Sequence, residues 1–443
     1  MQKAHTRCIS PSCSLEYPIE ENRVECKRGH LLDVIYKEAP NTNLKEMFYA
    51  RRNSQGIIYN ESGVWRFREL LNFCQIDTND YAECSKYLVS LDGAEGRQSK
   101  PYHMSKVAEF IGMNTKNIWL QPEGYNPSGS FKDNGMATAV THAKIVHAKK
   151  IICASTGNTS AAASMYAANE NIDCDVYIPT GQIAPGKLSQ AYQFGAQLIQ
   201  VDGNFDDALT KSLENSKNNN GYTVNSINPF RIEGQKTILY RFLEALKWET
   251  PDWVVYPGGV MGNTSSCGKC LMELYEWGWI KKIPRIAVIN AEGAKTVSDL
   301  YNGKYDEPMR WNRGKPNLDI LNNYYKKLDS ENIRPNTKAT AIQIGRPANI
   351  LKGLRALEFT NGVVTTVTDS QMLDGMSIVG LNGFDCEMAS GAVPAGIRKL
   401  VSEEIIKKDD VVVGILTGRQ KESMLAVDYH NASTNRFALP PKK

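Results

Sequence analysis

Long apolar runs are missing from this sequence of 443 residues, and so is a large excess of charge of either sign. No stretch approaches the roughly 20 apolar residues that a membrane-spanning helix needs. The formal net charge is only +4, which predicts no binding to nucleic acid or to an anionic membrane surface. The first residues lack the apolar core of a signal peptide, so we expect a cytoplasmic protein. Its ten cysteines are then expected to be thiols or metal ligands rather than disulfides.

The pattern of apolar segments predicts an α/β fold. The chain is too long for one ordinary hydrophobic core, so two domains are expected. From about residue 116, short apolar runs such as KIICAS, DCDVYIP and WVVYP alternate with helix-like segments. Strands that are apolar throughout are typical of parallel sheets with helices on both faces. We therefore predict two open, doubly wound, mostly parallel-sheet domains, preceded by a small cysteine-bearing N-terminal extension.

Two of the predicted strands lead into polar loops that open a helix. The first loop, in ASTGNTS, places Ser155, Thr156, Asn158 and Thr159 at a helix N-terminus, where unpaired N–H groups and the helix dipole attract an anion. Ordinary capping needs only one such side chain. The second loop, YPGGVMGNTSS, is rich in glycine and outlines a phosphate cradle without the ending of a nucleotide P-loop. Two such loops in one α/β chain favour an anionic ligand.

For two basic residues, the sequence alone leaves two possible roles open. Lys132 follows the polar turn NPSGS and precedes a helix-like segment, so it is either a solvated charge or an amine held against a carbonyl cofactor. Arg231, in NSINPFR, is either a surface arginine or a bidentate ligand of phosphate.

The N-terminal extension contains a group of candidate metal ligands, namely Cys8, Cys13, Cys26 and His30. Structural zinc sites commonly use closer C-x-x-C pairs than the spacing found here. The spacing therefore favours free thiols, and zinc is not expected, although a zinc site remains an alternative.

A series of segments closely resembles the threonine synthase family, a branch of the fold-type II pyridoxal-phosphate enzymes in the tryptophan synthase beta-like superfamily. These are NPSGSFKD, STGNTS, NSINPFRIEGQKT, PGGVMGN, VINAEGA, AIQIGRPANI, GFDCEMASGA and ILTG, and they occur in this order. The similarity runs from about residue 8 to about residue 423. The first two segments are shared by the wider group, whereas NSINPFRIEGQKT and the N-terminal cysteines are typical of the threonine synthase branch.

The resemblance implies a role for each polar segment. Lys132 would hold pyridoxal 5'-phosphate as a Schiff base and transfer protons, and Phe131 would flank it. Asn158 would bind the phenolic oxygen of the cofactor ring, and Thr417 would face the ring nitrogen. The loop that wraps the cofactor phosphate would consist of Gly258, Gly259, Val260, Met261, Gly262 and Asn263. The phosphate of the substrate would be bound by Ser155, Thr156, Thr159, Asn225 and Arg231.

The same resemblance implies an activity and an organisation. The enzyme would be a lyase that converts O-phospho-L-homoserine and water into L-threonine and phosphate by γ-elimination and β-addition, and it would form a homodimer. Its parts would be an N-terminal module, 1–40, a large cofactor domain, 41–132 with 226–443, and a small inserted domain, 133–225. Two alternatives stay open: a paralogue acting on another phosphorylated amino acid such as O-phosphoserine, as a cysteate synthase does, and a non-catalytic protein that binds an amino acid or the cofactor.

Three positions depart from the family pattern. Asn134 stands where SFKDRG has arginine, and we expect this change to remove only a surface charge. Val260 stands where the phosphate loop has asparagine, so the loop loses one side-chain donor. GRQKES replaces a run resembling GHGLKDP directly after Thr417, where a change of substrate would be expected to act.

Overall fold

The computed structural model describes residues 4–180, 185–203, 205–218 and 221–420. In chain order, its strands are β1 (Ala4–Cys8), β2 (Glu16–Tyr17), β3 (Leu32–Tyr36), β4 (Ile118–Pro122), β5 (Lys150–Ala154), β6 (Asp173–Pro179), β7 (Gln197–Val201), β8 (Gly221–Thr223), β9 (Trp253–Pro257), β10 (Arg285–Ala291), β11 (Val363–Val367) and β12 (Val412–Leu416). Its α-helices are α1 (Leu44–Arg52), α2 (Ile58–Glu61), α3 (Tyr81–Tyr87), α4 (Ser105–Ile111), α5 (Lys132–Ile145), α6 (Asn158–Asn169), α7 (Pro185–Gln193), α8 (Phe205–Asn218), α9 (Pro229–Ala245), α10 (Gly262–Glu276), α11 (Thr296–Asn302), α12 (Leu318–Ser330), α13 (Ile350–Phe359), α14 (Asp369–Gly380) and α15 (Met388–Ser402). None of these helices is both long enough and apolar enough to cross a membrane.

Within the described residues, the strands form three sheets. The N-terminal strands pair antiparallel in the order β2-β1-β3. The other two sheets, β7-β6-β5-β8 and β11-β10-β9-β12-β4, are parallel throughout. Helices connect most of the parallel strands, as crossovers between parallel neighbours require. The predicted α/β fold with parallel sheets and a cysteine-bearing N-terminal extension is confirmed.

The central parallel strands are buried from end to end. Every residue of β9, WVVYP, and of β12, VVGIL, is buried. The core of the five-stranded sheet joins strand residues such as Val255 and Ile289 to helix residues such as Met372, Val393 and Ile397. Uniformly apolar sequences form these strands because helices cover both faces of the sheet.

The described residues divide into two compact units. The first takes the chain up to Ser99 together with Tyr125–Glu244 and Glu276–Trp279, and the second takes Lys100–Gly124, Ala245–Tyr275 and the chain from Ile280 onward. The four-stranded sheet lies within the segment 133–225, and the strands of the five-stranded sheet lie in the segments that flank it. The first unit also includes the N-terminal extension, so its limits differ from those of the expected inserted domain. The predicted domain boundaries stay a prediction.

His142 anchors the N-terminal extension to α5 from inside the first unit. Its Nε2 lies 2.6 Å from the carbonyl oxygen of Ile19, and its Nδ1 lies 2.7 Å from the hydroxyl of Tyr222. Because a carbonyl oxygen only accepts, Nε2 carries the proton and Nδ1 accepts from Tyr222. The ring also stacks on Phe230, with 3.4 Å between centroids. The neutral imidazole is therefore the form that the fold requires, and burial lowers the pKa of His142 to about 3.

We expect this histidine to make the protein sensitive to mild acid. Below the ordinary pKa of 6.5 the unfolded chain binds a proton that the folded chain does not, so stability present above pH 6.5 is lost as pH falls. The free energy of unfolding should drop by about 1 kcal/mol between pH 7.5 and pH 5.5 from this residue alone. Urea unfolding at both pH values measures the drop, and His142→Gln, which keeps a donor for Ile19, should lessen it. An equal drop in parent and variant would contradict the assignment.

Candidate active site

Lys132 lies at the first position of α5, directly after a turn fixed by hydrogen bonds. The carboxylate of Asp133 accepts from the backbone N–H of Ser128 at 3.0 Å and also from the hydroxyl of the same residue. Gly129 has φ +87°, a left-handed conformation that favours glycine. The Lys132 ammonium lies 4.0 Å from the centroid of the Phe131 ring. The turn therefore presents a half-buried amine on a rigid support, with Phe131 beside it.

The first of the two predicted polar loops, in ASTGNTS, lies where β5 ends and α6 begins. Asn158 is the first residue of α6 and is buried, whereas Ser155, Thr156 and Thr159 are partly exposed. The hydroxyl of Ser155 accepts from the N–H of Gly157 at 3.1 Å. The loop thus places side-chain oxygens and an amide at a helix N-terminus, which is favourable for an anion.

Asn225 holds this loop from the neighbouring strand. It follows β8, which pairs with β5, and its Oδ1 accepts from the N–H of Ala154 at 3.0 Å while its Nδ2 donates to the carbonyl of Ala154 at 2.9 Å. Since β6 and β7 continue the sheet on the other side of β5, the loop lies where the strand order reverses. Open α/β sheets bind ligands at that place. Asn225 was predicted as a ligand of the substrate phosphate, and its paired bonds to Ala154 add a positioning role.

Arg231 is buried, and two of its donor nitrogens form no hydrogen bond with a described residue. It lies in the first turn of α9 with 1% of its surface exposed, and its Nη1 donates to the carbonyl of Val224 at 2.8 Å. Its Nε and Nη2 have no hydrogen-bond partner among the described residues. Burial lowers the pKa of the guanidinium to about 10, which leaves it charged at neutral pH. A buried charge with two donor nitrogens that no described residue uses is costly unless an anion binds it.

The helices α5 and α9, whose first turns contain Lys132 and Arg231, touch near their N-terminal ends. A Cβ at Gly135 of α5 would lie 3.0 Å from the carbonyl oxygen of Arg231, and one at Gly234 of α9 would lie 1.9 Å from the carbonyl oxygen of Asn134. Only glycine allows two backbones to approach so closely. The first unit therefore brings the predicted cofactor lysine and the predicted phosphate arginine onto adjacent helix ends.

Asn134 does not lie at the surface, where the sequence analysis placed it. The sequence predicted that the change from arginine at this position removes a surface charge, but Asn134 is 0% exposed. Its Nδ2 donates to the carbonyl of Phe131 at 3.1 Å, and its Oδ1 accepts from Arg241 at 3.1 Å. The prediction was wrong because the first turn of α5 packs against α9, and Asn134 supports the Lys132 turn from within.

In the second unit, residues 258–261 form a tight loop between β9 and α10, and Gly262 and Asn263 begin the helix. A Cβ at Gly258 would lie 2.5 Å from the Nδ2 of Asn290, which donates to the carbonyl of Gly258 at 2.8 Å. Met261 has φ +68°, a strained conformation for a residue other than glycine. The Oδ1 of Asn263 is buried and has no hydrogen-bond partner within the described residues. The loop has the form of a cradle, with an unused polar atom at the start of the helix.

Thr417 lies at the end of the strand beside that loop. Gly414 of β12 pairs with Val255 of β9 in parallel register. Three residues further along each strand, Thr417 therefore lies opposite Gly258. Its hydroxyl lies 3.2 Å from the hydroxyl of Ser390 and 3.4 Å from a carboxylate oxygen of Glu387. The strand order also reverses between β9 and β12, so this sheet too has its loops at the ligand-binding position.

Sequence patterns missed several supporting residues. Ser390 and Glu387 lie in GFDCEMASGA, and Asn290 lies in VINAEGA. Both segments contribute to the family resemblance, but no residue in them was assigned a role. The signal that could have identified them is a polar side chain within an otherwise apolar segment, as Asn290 is at the end of β10.

The two units, each with a parallel sheet and polar loops at the strand ends, have the fold of a known class of enzymes. Residues 100–418 match the family described as pyridoxal-phosphate dependent enzyme. The fold is similar to that of maize serine racemase, with TM-score 0.58 and 15% identity, over 79% of this chain and 94% of that one. It is equally similar to threonine deaminase isoform 2 from Solanum lycopersicum, with TM-score 0.58 and 16% identity, over 80% and 94% of the two chains.

Within that class, the chain belongs to the threonine synthase family. It is 36% identical over 414 residues to the threonine synthase of Methanocaldococcus jannaschii, covering 93% of this chain and 91% of that protein. It is 34% identical over 416 residues to the threonine synthase of Methanosarcina acetivorans, covering 94% and 91%. The threonine synthase of Synechocystis is 37% identical over 313 residues, covering 70% and 73%.

Proposed function

We propose that this chain is a pyridoxal-phosphate-dependent threonine synthase that converts O-phospho-L-homoserine and water into L-threonine and phosphate. The observation that carries the proposal is Arg231, a buried guanidinium with two donor nitrogens that no described residue uses, next to the N-terminal end of α5, where Lys132 lies. A phosphorylated amino acid supplies the anion that such a group needs. Two relatives that span most of this chain, from Methanocaldococcus jannaschii and Methanosarcina acetivorans, are threonine synthases.

The residues present fit pyridoxal phosphate. The loop 258–263 offers a backbone cradle that a Cβ would fill, and its N–H groups at the start of α10 would hold the cofactor phosphate. Phe131 and Asn158 would contact the cofactor ring, and Thr417 would face its nitrogen. Bound in this way, the cofactor would supply an electron sink for negative charge that develops on the substrate carbons.

Lys132 is proposed to carry the cofactor and to transfer protons at the substrate carbons. The amine extends from the start of a helix, and Ser128 and Asp133 fix the turn before it. A proton-transfer group is effective when its position is fixed within hydrogen-bond reach of the reacting atoms. The bonds of Asn134 to Phe131 and Arg241 hold the same turn from the buried side.

The substrate phosphate is proposed to bind at the loop of Ser155, Thr156 and Thr159 and at Arg231, with Asn225 holding the loop. The free Nε and Nη2 of Arg231 form the edge of a guanidinium that matches two phosphate oxygens. The leaving phosphate gains negative charge as its bond to the γ carbon breaks. A buried, fully charged guanidinium therefore stabilises that step more strongly than a solvated one.

The test is release of phosphate from O-phospho-L-homoserine by the purified holoprotein, with L-threonine identified as the co-product. We expect equal amounts of the two products and no comparable release from O-phospho-L-serine. Release from O-phospho-L-serine alone would show a different substrate and would contradict the proposal, as would release without threonine. The homodimer stays a prediction based on the family resemblance, and the cytoplasmic location stays a prediction based on the N-terminal sequence.

A further inference from the structure

Four potential metal ligands converge in the N-terminal extension. The ligand atoms of Cys8, Cys13, Cys26 and His30 all lie within 4.8 Å of one another. The three cysteines are buried and His30 is half-buried, and the Sγ of Cys8 lies 3.4 Å from the Nδ1 of His30. None of these cysteines forms a disulfide.

Two turns of the antiparallel sheet present these ligands. The first turn follows β1, where the N–H of Cys8 bonds to Leu15 and the N–H of Cys13 bonds to Ser10. The second precedes β3, where the N–H of Cys26 bonds to the carbonyl of His30 at 2.8 Å. The pairing of Cys8 with Leu32 between β1 and β3 brings the turns together.

The second turn is tight and directs a backbone N–H group at a cysteine sulfur. Gly29 has φ +77°, and its N–H donates to the carbonyl of Cys26 at 2.9 Å. The N–H of Arg28 points at the Sγ of Cys26 at 3.4 Å. Backbone N–H groups directed at sulfur stabilise a thiolate, the form in which cysteine binds a metal.

We propose that Cys8, Cys13, Cys26 and His30 bind one structural zinc ion. Three thiolates and an imidazole whose ligand atoms all lie within 4.8 Å of one another are a ligand set for structural zinc. All four positions are filled by protein, which leaves none for a substrate. Each cysteine thiol loses its proton to solvent as it binds. Sequence spacing favoured free thiols, and the geometry reverses that preference.

A metal also explains how so small a sheet is stabilised. Its apolar cluster consists of the three cysteines with Tyr17 and Leu32, and Leu15 packs against it. Such a cluster buries little apolar surface. Bonds from zinc to four residues would add to the stability of the three short strands.

The zinc site would in turn stabilise the helix that begins near Arg231. β3 starts two residues after His30 and ends at Tyr36, whose hydroxyl donates to Glu233 of α9 at 2.6 Å. Glu233 is fully buried and also forms an ion pair with Lys236 at 2.6 Å. Loss of the metal should therefore loosen the contact between β3 and α9.

Metal analysis of the purified full chain tests the proposal. We expect about one zinc ion per chain, retained through gel filtration without added metal. Cys26→Ser should lose the zinc and lower the midpoint of thermal unfolding by several degrees. Cys84→Ser, which changes a buried cysteine outside the cluster, should retain the zinc. Protein prepared with zinc present that contains none, or equal zinc in both variants, would overturn the proposal.

Cobalt substitution keeps the test decisive if Cys26→Ser fails to fold. The parent chain, treated with chelator and then with Co²⁺, should gain the thiolate-to-cobalt charge-transfer band and the intense visible bands of tetrahedral cobalt. Added zinc should abolish these bands because zinc binds the same ligands more tightly. Parent protein that acquires only the weak spectrum of octahedral cobalt would overturn the proposal.

Discussion

Replacing Lys132 by alanine is expected to lower turnover by about 10³-fold or more, because the variant lacks both the cofactor attachment and the principal proton-transfer group. The visible absorbance of the lysine-bound cofactor should disappear from the purified protein as well. Folding should be preserved, since the hydrogen bonds between Ser128 and Asp133 hold the turn before the lysine. Absorbance spectra and steady-state rates with O-phospho-L-homoserine measure both effects.

Lys144→Ala is the matched control for this prediction. Lys144 lies near the other end of α5, and its ammonium forms a part-exposed ion pair with Glu170 at 2.7 Å. Such a pair contributes about 0–1 kcal/mol, so the control should retain both the absorbance and the rate. A Lys132→Ala protein that keeps the absorbance of the parent would show that another lysine holds the cofactor.

Replacing Arg231 by methionine is expected to lower kcat/KM for O-phospho-L-homoserine by roughly 10²- to 10⁴-fold. The variant loses two charge-assisted hydrogen bonds to the phosphate, each contributing about 1.5–3 kcal/mol. The substrate-free protein should lose little stability, because an unpaired buried charge is replaced by an apolar chain of similar length. Kinetics and thermal unfolding in the absence of substrate separate the two effects.

Arg241→Met provides the comparison on the same helix. Arg241 is as buried as Arg231, at 1% exposure, but it donates to the carbonyls of Ser99 and Gly63 and to the side chains of Asn134 and Thr237. Its loss should destabilise the fold by about 2–4 kcal/mol. If Arg231→Met destabilised the ligand-free protein as strongly and left KM unchanged, the arginine would be structural and the phosphate site would be misplaced.

The parallel strands could be predicted from sequence because strands buried on both faces are apolar at nearly every position. KIICAS, WVVYP and VVVGIL are apolar at every position or nearly so, and they become β5, β9 and β12. Their helical neighbours cover both faces, so no alternation is needed. The two polar loops could be predicted for the same reason, since each follows directly after such a strand.

Other parts of the site depend on packing that a sequence does not display. Arg231 belongs to α9, a helix buried on every side, so local patterns could not tell a surface arginine from a buried one. The cysteines of the N-terminal extension look too widely spaced for a metal until the pairing of β1 with β3 brings both turns together. Of the GRQKES segment after Thr417, residues 421–423 lie outside the described residues.

We propose that Lys132 carries the cofactor, and borohydride reduction of the holoprotein tests this assignment most directly. Reduction fixes the cofactor to its lysine, and digestion followed by mass spectrometry identifies the modified peptide. We predict one modified site, Lys132, in the peptide that contains the sequence NPSGSFKD. Modification of another lysine, or of none in protein that contains the cofactor, would contradict the account.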